Sequence, residues 1–333
     1  MNKKKKTILL LLLVLTSFFI ACSTYNKKSI PESEKNIIKD TEVNIPNKKE
    51  IIEKLSSDEF EGRFIKNNGN KLAGEYIYNI FSNLKLQSFL KTNYYHIYSY
   101  EDTADNDTTI KIKREASNII GKISGKESKN AIIISAHFDH IGIQSGKLIR
   151  GALDNASGVS VLISLADKLK KESSRNSFPY DIIFAAFNGE EVGLTGSKSF
   201  VTEISGVYDK LYNINIDSVG YKDGEDIVLN HSFNKLHGKS NSSSDYDKLY
   251  NNLKKYFEIN NLTTSKVSQA YLSSDDYSFQ EKGYTSIGII EKNVKKIIHT
   301  TNDIPEIIDY NKLELIEKSI YDFVVGSGDC LFK

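Results

Sequence analysis

Two short apolar runs constrain this chain more than any other feature: AIIISAHFDH, from Ala131 to His140, and DIIFAAFNGEE, from Asp181 to Glu191. Each opens like a strand buried on both faces and then turns polar, which puts His137, Asp139, Glu190 and Glu191 at or just past strand carboxyl ends. Between them SGVSVLISLADKLKK, Ser157 to Lys171, carries Val161, Leu162, Leu165, Ala166 and Leu169 at i, i+3, i+4 spacing, the stripe of an amphipathic helix. Strand, helix, strand predicts a parallel pair joined by a crossover, and hence an α/β domain. LYNINIDSVG closes on Asp217 in the same style, and SIGII, Ser286 to Ile290, predicts a further strand ahead of His299. In open α/β sheets the ligand crevice lies beyond the carboxyl ends of the strands. His137, Asp154, Glu191, Asp217 and His299, distant in sequence, are therefore expected to converge there.

Singly, each of these residues has an ordinary reading. Asp154 with Asn155, just ahead of Ser157, could simply cap the helix. Glu190 and Glu191 could form a solvated loop, and a lone histidine is more often a satisfied structural group than a ligand. Their co-occurrence at strand ends favours a two-metal site, in a chain with six histidines and with Gly142, Gly151, Gly158, Gly189, Gly193 and Gly220 close by. Zinc accepts imidazole nitrogen and carboxylate oxygen, and a catalytic zinc site leaves a position open for water. Two ions about 3.5–4 Å apart can share a carboxylate and a water. Five protein ligands, one of them shared, supply three donors to each ion. A carboxylate that binds no metal must then carry the proton, and Glu190, beside a ligand, fits that task. Asp139, two residues past His137, is placed to orient that imidazole.

HFDHIG, GALDNASGVS, NGEEVGLTGS, NIDSVG and IIHTTND, taken together and in this order, resemble the secreted di-zinc aminopeptidases, a family related to the glutaminyl cyclases and the transferrin-receptor ectodomain. The likeness covers roughly residues 50 to 325 and includes LSSDEFEGR, Leu55 to Arg63, followed by a helical LAGEYIYNIFSNLKL. It implies a three-layer αβα sandwich around a mixed, mostly parallel sheet, and two zinc ions per chain. Asp154 would bridge the ions, with Glu191 and His299 completing one site and His137 and Asp217 the other. Glu190 would be the general base and Asp139 the carboxylate behind a ligand histidine, while His140 is expected to pack or hydrogen-bond near the site. Ser274 and Asp275 in YLSSDDYSF match a segment near the family's substrate pocket, with Asp276 where histidine is common. Ile298 stands where some relatives carry a tyrosine that polarises the scissile carbonyl. The implied activity is removal of amino-terminal residues from peptides by a metal-activated water. A glutaminyl-cyclase-like acyltransferase with a single zinc and a catalytically silent binding module are the alternatives.

MNKKKK followed by the apolar run from Ile8 to Ala21 reads as an export signal over residues 1–21, short of the roughly 20 apolar residues a spanning helix needs. Its end, Phe19-Ile20-Ala21-Cys22, resembles a lipoprotein lipobox. That implies lipidation of Cys22 and an extracytoplasmic, membrane-anchored protein, or a secreted one if Cys22 is unmodified. Residues 22–46, polar and rich in Lys, Asn, Ser and Glu, are expected to be a flexible tether, and 47–333 a single catalytic domain. Cys330 is the one other cysteine, so no disulfide framework is available. A net charge of +1 offers no argument for nucleic acid, and a monomer is expected. Residues 91–116 alternate apolar and polar and predict edge strands. Residues 221–244, with His231 and His237, predict a surface loop, and the stripe from Ile308 to Phe323 predicts a core-facing terminal helix.

Overall fold

The computed structural model describes residues 44–90, 93–104, 107–126, 129–230, 244–265 and 273–333. The expected export signal, Cys22 and nearly all of the tether lie outside the described residues, as do His231 and His237. The strands are β1 (Gln87–Ser88), β2 (Tyr95–Ala104), β3 (Asp107–Ile123), β4 (Asn130–His137), a small hairpin β5 (Ile143–Gln144) and β6 (Lys147–Leu148), β7 (Asp181–Phe187), β8 (Lys210–Asp217), β9 (Ile227–Asn230), β10 (Thr264–Ser265) and β11 (Thr285–Glu291). The helices are α1 (Lys48–Leu55), α2 (Asn68–Asn83), α3 (Gly158–Ser173), α4 (Thr195–Glu203), α5 (Ser244–Ile259), α6 (Asp276–Glu281) and α7 (Tyr310–Ser327).

Among the described residues nine strands form one mixed sheet in the order β1-β3-β7-β4-β8-β11-β9-β10, with β2 also paired to β3. Its centre, β7-β4-β8-β11, is parallel, and β3 and β9 flank it antiparallel. The predicted crossover is present: α3 joins β4 to its parallel neighbour β7. Period-two alternation divides each central strand between two cores. Ile132, Ile134 and Ala136 of β4, with Ile182 and Phe184 of β7 and Ile214 and Ile216 of β8, enter the larger core, to which α1, α2, α3, α5 and α7 contribute. Ile133, Ile183, Ala185 and Phe187 face the smaller one, with Phe200, Val201 and Ile204 at α4 and Phe279 of α6. Helices thus cover both faces, the α/β arrangement expected from the sequence.

The smaller face is also crossed by a buried polar chain. Asn213 Nδ2 donates to Ser135 Oγ (2.9 Å), Ser135 Oγ to Asn215 Oδ1 (2.7 Å), Asn215 Nδ2 to Ser274 Oγ (3.0 Å), and Ser286 Oγ to Asn213 Oδ1 (2.6 Å). Mutual satisfaction is what makes their burial tolerable.

Over residues 91–116, β2 and the first part of β3 pair with each other at the edge of the sheet, and β3 then runs on to Ile123 and pairs with β7 over Ile119–Ile123, where NIIGKI regains apolar residues. One local expectation changes. Within 221–244, Ile227–Asn230 is a fully buried strand on β11, an apolar run too short to show a period between polar flanks. The terminal stripe is α7, started by Asp309, whose side chain accepts from the backbone of Lys312.

Candidate metal centre

His137 ends β4 and Asp217 ends β8, and the register pairs Ser135 with Asn215. Two positions on, and on the same face, the imidazole and the carboxylate meet: His137 Nε2 lies 3.5 Å from Asp217 Oδ1. Asp154 sits between β4 and α3 in a widened helical turn, Ala152–Ser157, whose Asp154–Asn155 peptide is cis. Its Oδ1 is 3.3 Å from His137 Nε2 and its Oδ2 is 3.1 Å from His299 Nε2. Glu191, just past β7, places Oε1 3.1 Å from His299 Nε2 and 2.9 Å from His140 Nδ1. His299 arrives from the loop after β11 and is about half exposed. Two groups of donors result, one of His137, Asp154 and Asp217, the other of His140, Asp154, Glu191 and His299, with donor atoms in each no more than 4.8 Å apart. Imidazole nitrogen with carboxylate oxygen is the donor set zinc takes.

The loops that carry these side chains are tied to one another through the backbone beside each candidate ligand. Asp139, beyond β4, accepts from the N–H of Glu190 (3.1 Å) and of Glu191 (3.2 Å) beyond β7. Asn155 joins the Asp154 turn to the end of β8, donating to Ile216 O (2.9 Å) and accepting from Ser218 N (3.2 Å). Asp303, in the His299 loop, accepts from the N–H of Leu153 (2.5 Å) and of Asp154 (3.1 Å). Arg63, fully buried, donates to the carbonyls of Phe138, Leu55, Arg150 and Gly151. Gly151 permits this crowding: its φ is +64°, and a Cβ there would lie 2.7 Å from the Arg63 guanidinium and 2.6 Å from His140 Cδ2.

Burial would lower the His137 imidazole, but Asp217, Asp139 and Asp154 hold it well above its usual value. His299 is pushed up to about 10 by hydrogen bonds with Asp154 and Glu191. Burial opposes ionisation of Asp154, yet hydrogen bonds from His137 and His299 keep it well below the usual carboxylate range. Glu191 follows the same balance: burial and Asp154 raise it, and His140 and His299 bring it below its ordinary value. Glu190 goes the other way. Burial pushes it well above its usual value, His137 opposes, and Asp217, Asp275 and Glu191 add to the rise. Adjacent carboxyls with opposite shifts suit different tasks, one holding a cation and one holding a proton.

Asp139 lies beside His137 and also ties down the neighbouring loop. His137 Nδ1 lies 3.2 Å from the Asp139 main-chain oxygen, while the carboxylate stands 3.7 Å away and is engaged with the two glutamate N–H groups. Ser274 and Asp275, expected at the substrate pocket, are both closed off from solvent: Ser274 accepts from Asn215, and burial pushes Asp275 up to about 7. They lie beneath the site because α6 packs its start against the polar face of the sheet. Asp276 accepts from Gln280 and lies against Gly288 of β11. Ile298 packs on the larger core. Arg63, Asn155 and Asp303 went unassigned in the sequence, although each lies in a segment that carries the family likeness.

Together the fold and the donor set define an α/β protein of zinc-peptidase type. The chain belongs to peptidase family M28, whose profile matches residues 118–324. It is similar to aminopeptidase YwaD of Bacillus subtilis (strain 168), at 29% identity over 247 residues that make up 67% of this chain and 49% of that protein. The chain spans about half the length of the curated relatives it matches first. Among solved structures, BSAP, a zinc aminopeptidase from Bacillus subtilis, has a TM-score of 0.65 at 18% identity, covering 84% of this chain and 93% of that one. A glutaminyl cyclase from Fimbriiglobus ruber has a TM-score of 0.64 at 14% identity, covering 84% and 97%. At these identities the structural likeness is one of fold.

Proposed function

We propose that this protein is a zinc-dependent aminopeptidase that holds two ions and removes amino-terminal residues from peptides. The observation that carries the reading is Asp154, which presents one carboxylate oxygen to each of two donor groups. Asp154, Glu191 and His299 would hold one ion, and His137, Asp154 and Asp217 the other. Bound zinc supplies an acidified water and polarisation of the scissile carbonyl. Glu190 takes the proton at its carboxylate and delivers it to the leaving amine, a role suited to a carboxyl whose affinity for protons is raised. Asp139 holds the backbone of Glu190 and Glu191, so that one carboxylate stays on the metal side while its neighbour remains free to move a proton. Membership of family M28 and the likeness to YwaD support the reading. A single-zinc acyltransferase needs only one donor group, and the presence of the second favours hydrolysis.

The test is a metal-replete assay on aminoacyl substrates, amino-blocked peptides and dipeptides. Hydrolysis of substrates with a free amino terminus, lost on chelation, is expected. Cleavage of blocked peptides at equal rate would overturn the aminopeptidase assignment.

The proposal extends to the rest of the chain on the sequence alone: a signal over residues 1–21, lipidation at Cys22, a tether over 22–46, a catalytic domain over 47–333, and a monomer working outside the cytoplasm. A Cys22→Ser variant is expected to leave the membrane fraction, and its retention there would refute the anchor.

A further inference from the structure

We infer, resting on the aminopeptidase reading above, that Asn118 is a positioning residue for the loop carrying Glu190, and that His96 makes this positioning depend on pH by holding the Asn118 amide in one orientation. Both residues lie across β7 from the strands that carry His137 and Asp217.

The ladder between β3 and β7 ends at Ile119 and Ala186. One residue further, Asn118 continues the tie with its side chain: the N–H of Asn188, just past β7, donates to Asn118 Oδ1 (2.9 Å). Asn118 Nδ2 donates to Gly196 O near the start of α4 (3.0 Å) and lies 2.9 Å from Nδ1 of His96, its cross-strand partner on β2. Gly196 permits the approach, since a Cβ there would stand 2.3 Å from Asn118 Oδ1 and 2.1 Å from Asn188 O. Asn188 is bonded on its other sides as well. Its carbonyl accepts from Tyr98 (2.6 Å), and its side chain exchanges bonds with Asn70 (2.9 and 3.0 Å). Gly189, at φ +80°, then turns the chain into Glu190.

These bonds fix the protonation of His96. Were the Asn118 amide turned over, Nδ2 would meet the Asn188 N–H, donor against donor, and Oδ1 would meet the Gly196 carbonyl, acceptor against acceptor. With the amide as it stands, Nδ2 donates toward His96 Nδ1. That nitrogen therefore carries a lone pair, and the ring proton sits on Nε2, 2.8 Å from Glu203 Oε2. An imidazolium would set its Nδ1–H against the Asn118 N–H. Relief requires the amide to turn over or withdraw, and either movement breaks the bond to Asn188.

The His96 ring is buried, edge-on to Phe200 of α4 with centroids 5.5 Å apart, and 6.2 Å from the Tyr98 ring on its own strand. β3 presents the neutral Asn118 to it, and Glu203, about half exposed at the end of α4, is the charged group that faces it. Burial holds the ring below its ordinary 6.5 against the pull of Glu203. Neutral His96, and with it the grip on Asn188, is present above that range and is lost as pH falls through the lowered value. A purely structural tie is the competing account. Breaking such a tie would lower stability but leave the pH dependence of turnover unmoved.

The experiment uses the zinc-loaded full chain with an aminoacyl substrate. Asn118→Ala should lower kcat by roughly ten- to a hundred-fold, as a displacement of about 1 Å near the reacting groups does, with KM and zinc per chain little changed. Asn118→Asp keeps an acceptor for the Asn188 N–H and gives the His96 imidazolium one too. It should recover part of the lost kcat, and recover more of it as pH falls. The ratio of wild-type to His96→Gln kcat cancels titrations common to both and should fall through the midpoint at which the His96 ring titrates, read by nitrogen-15 NMR. At about pH 8 the same spectra should show the proton on Nε2 and none on Nδ1, a readout that does not depend on Asn118→Ala folding. Wild-type kcat in Asn118→Ala, a ratio constant from about pH 8 to about pH 5, or a proton on Nδ1 would each overturn the inference and leave the peptidase reading intact. A fall in melting temperature alone, with kcat and its pH profile unmoved, would reduce Asn118 to a structural tie and overturn it as well. Absence of hydrolysis from the wild type would overturn the peptidase reading itself, and this role with it.

Discussion

On the face of the sheet covered by α3 and α7, the inward residues of β4, β7 and β8 are apolar but for the Tyr212 hydroxyl: Ile132, Ile134 and Ala136, Ile182 and Phe184, Ile214 and Ile216. On the face covered by α4 and α6, the same strands set Ile133 and Ile183 beside Ser135, Asn213 and Asn215. The difference follows the site. Residues two apart in a strand share a face, so Ser135 and Asn215 stand directly beneath His137 and Asp217. The apolar face stabilises the fold through the area it removes from water. The polar face trades part of that gain for directional bonds that fix where two candidate ligands point.

The largest effect that could break this comparison lies at the shared carboxylate. Asp154→Ala should remove both ions and all hydrolysis, measured as zinc per chain after dialysis, and two retained ions would end the two-group description. Glu190→Gln should keep both ions while turnover falls about 10²–10⁴-fold, the usual worth of general acid–base assistance; full activity in that variant would rule out its proton role. The faces themselves are separated by a matched pair. Ile214→Ala should cost about 2–5 kcal/mol in urea unfolding and leave zinc affinity unchanged. Asn215→Ala should cost about 1–3 kcal/mol by stranding Ser135 and Ser274, and should also weaken zinc binding. Equal effects of the two on zinc would erase the distinction between faces.

The smallest effect is one of pH. His96 is buried beside Phe200, bonded to Asn118 and Glu203, and burial lowers its pKa below the ordinary 6.5 despite Glu203. The unfolded chain therefore binds its proton first as pH falls. The contribution of neutral His96 is present above about 6.5 and declines as pH drops from there through the lower folded value. Melting temperature of the metal-free protein should fall more steeply between pH 7.5 and pH 5 in the wild type than in His96→Gln, and parallel curves would exclude the effect.

Much of this was legible in the chain because it depends on local pattern. The apolar runs of β4 and β7 and the stripe of α3 each show their period within a single element, and they led to the parallel crossover. His137, Glu191 and Asp217 could be picked out because each ends or closely follows such a run, and Asp154 and His299 because they stand in the loops that adjoin those elements. The tasks of Asp139, Asn155, Asp303 and Arg63 were not legible, since each bonds to backbone that arrives from a different element. The same reason hid β9, whose four residues become a strand only against β11. Ser274 and Asp275 were placed at a pocket from their segment alone, and the packing of α6 on the polar face closed them off.

The sequence by itself determined which strands end in histidine or carboxylate, because alternation and apolar density are properties of neighbouring residues. Tertiary structure decided how those ends are shared: which oxygen of Asp154 faces which imidazole, that His140 faces the Glu191 group, and that Glu190 stays apart. Those are distances of 3–4 Å between residues far apart in the chain. They are set by strand register and by hydrogen bonds between loops, neither of which any single segment contains.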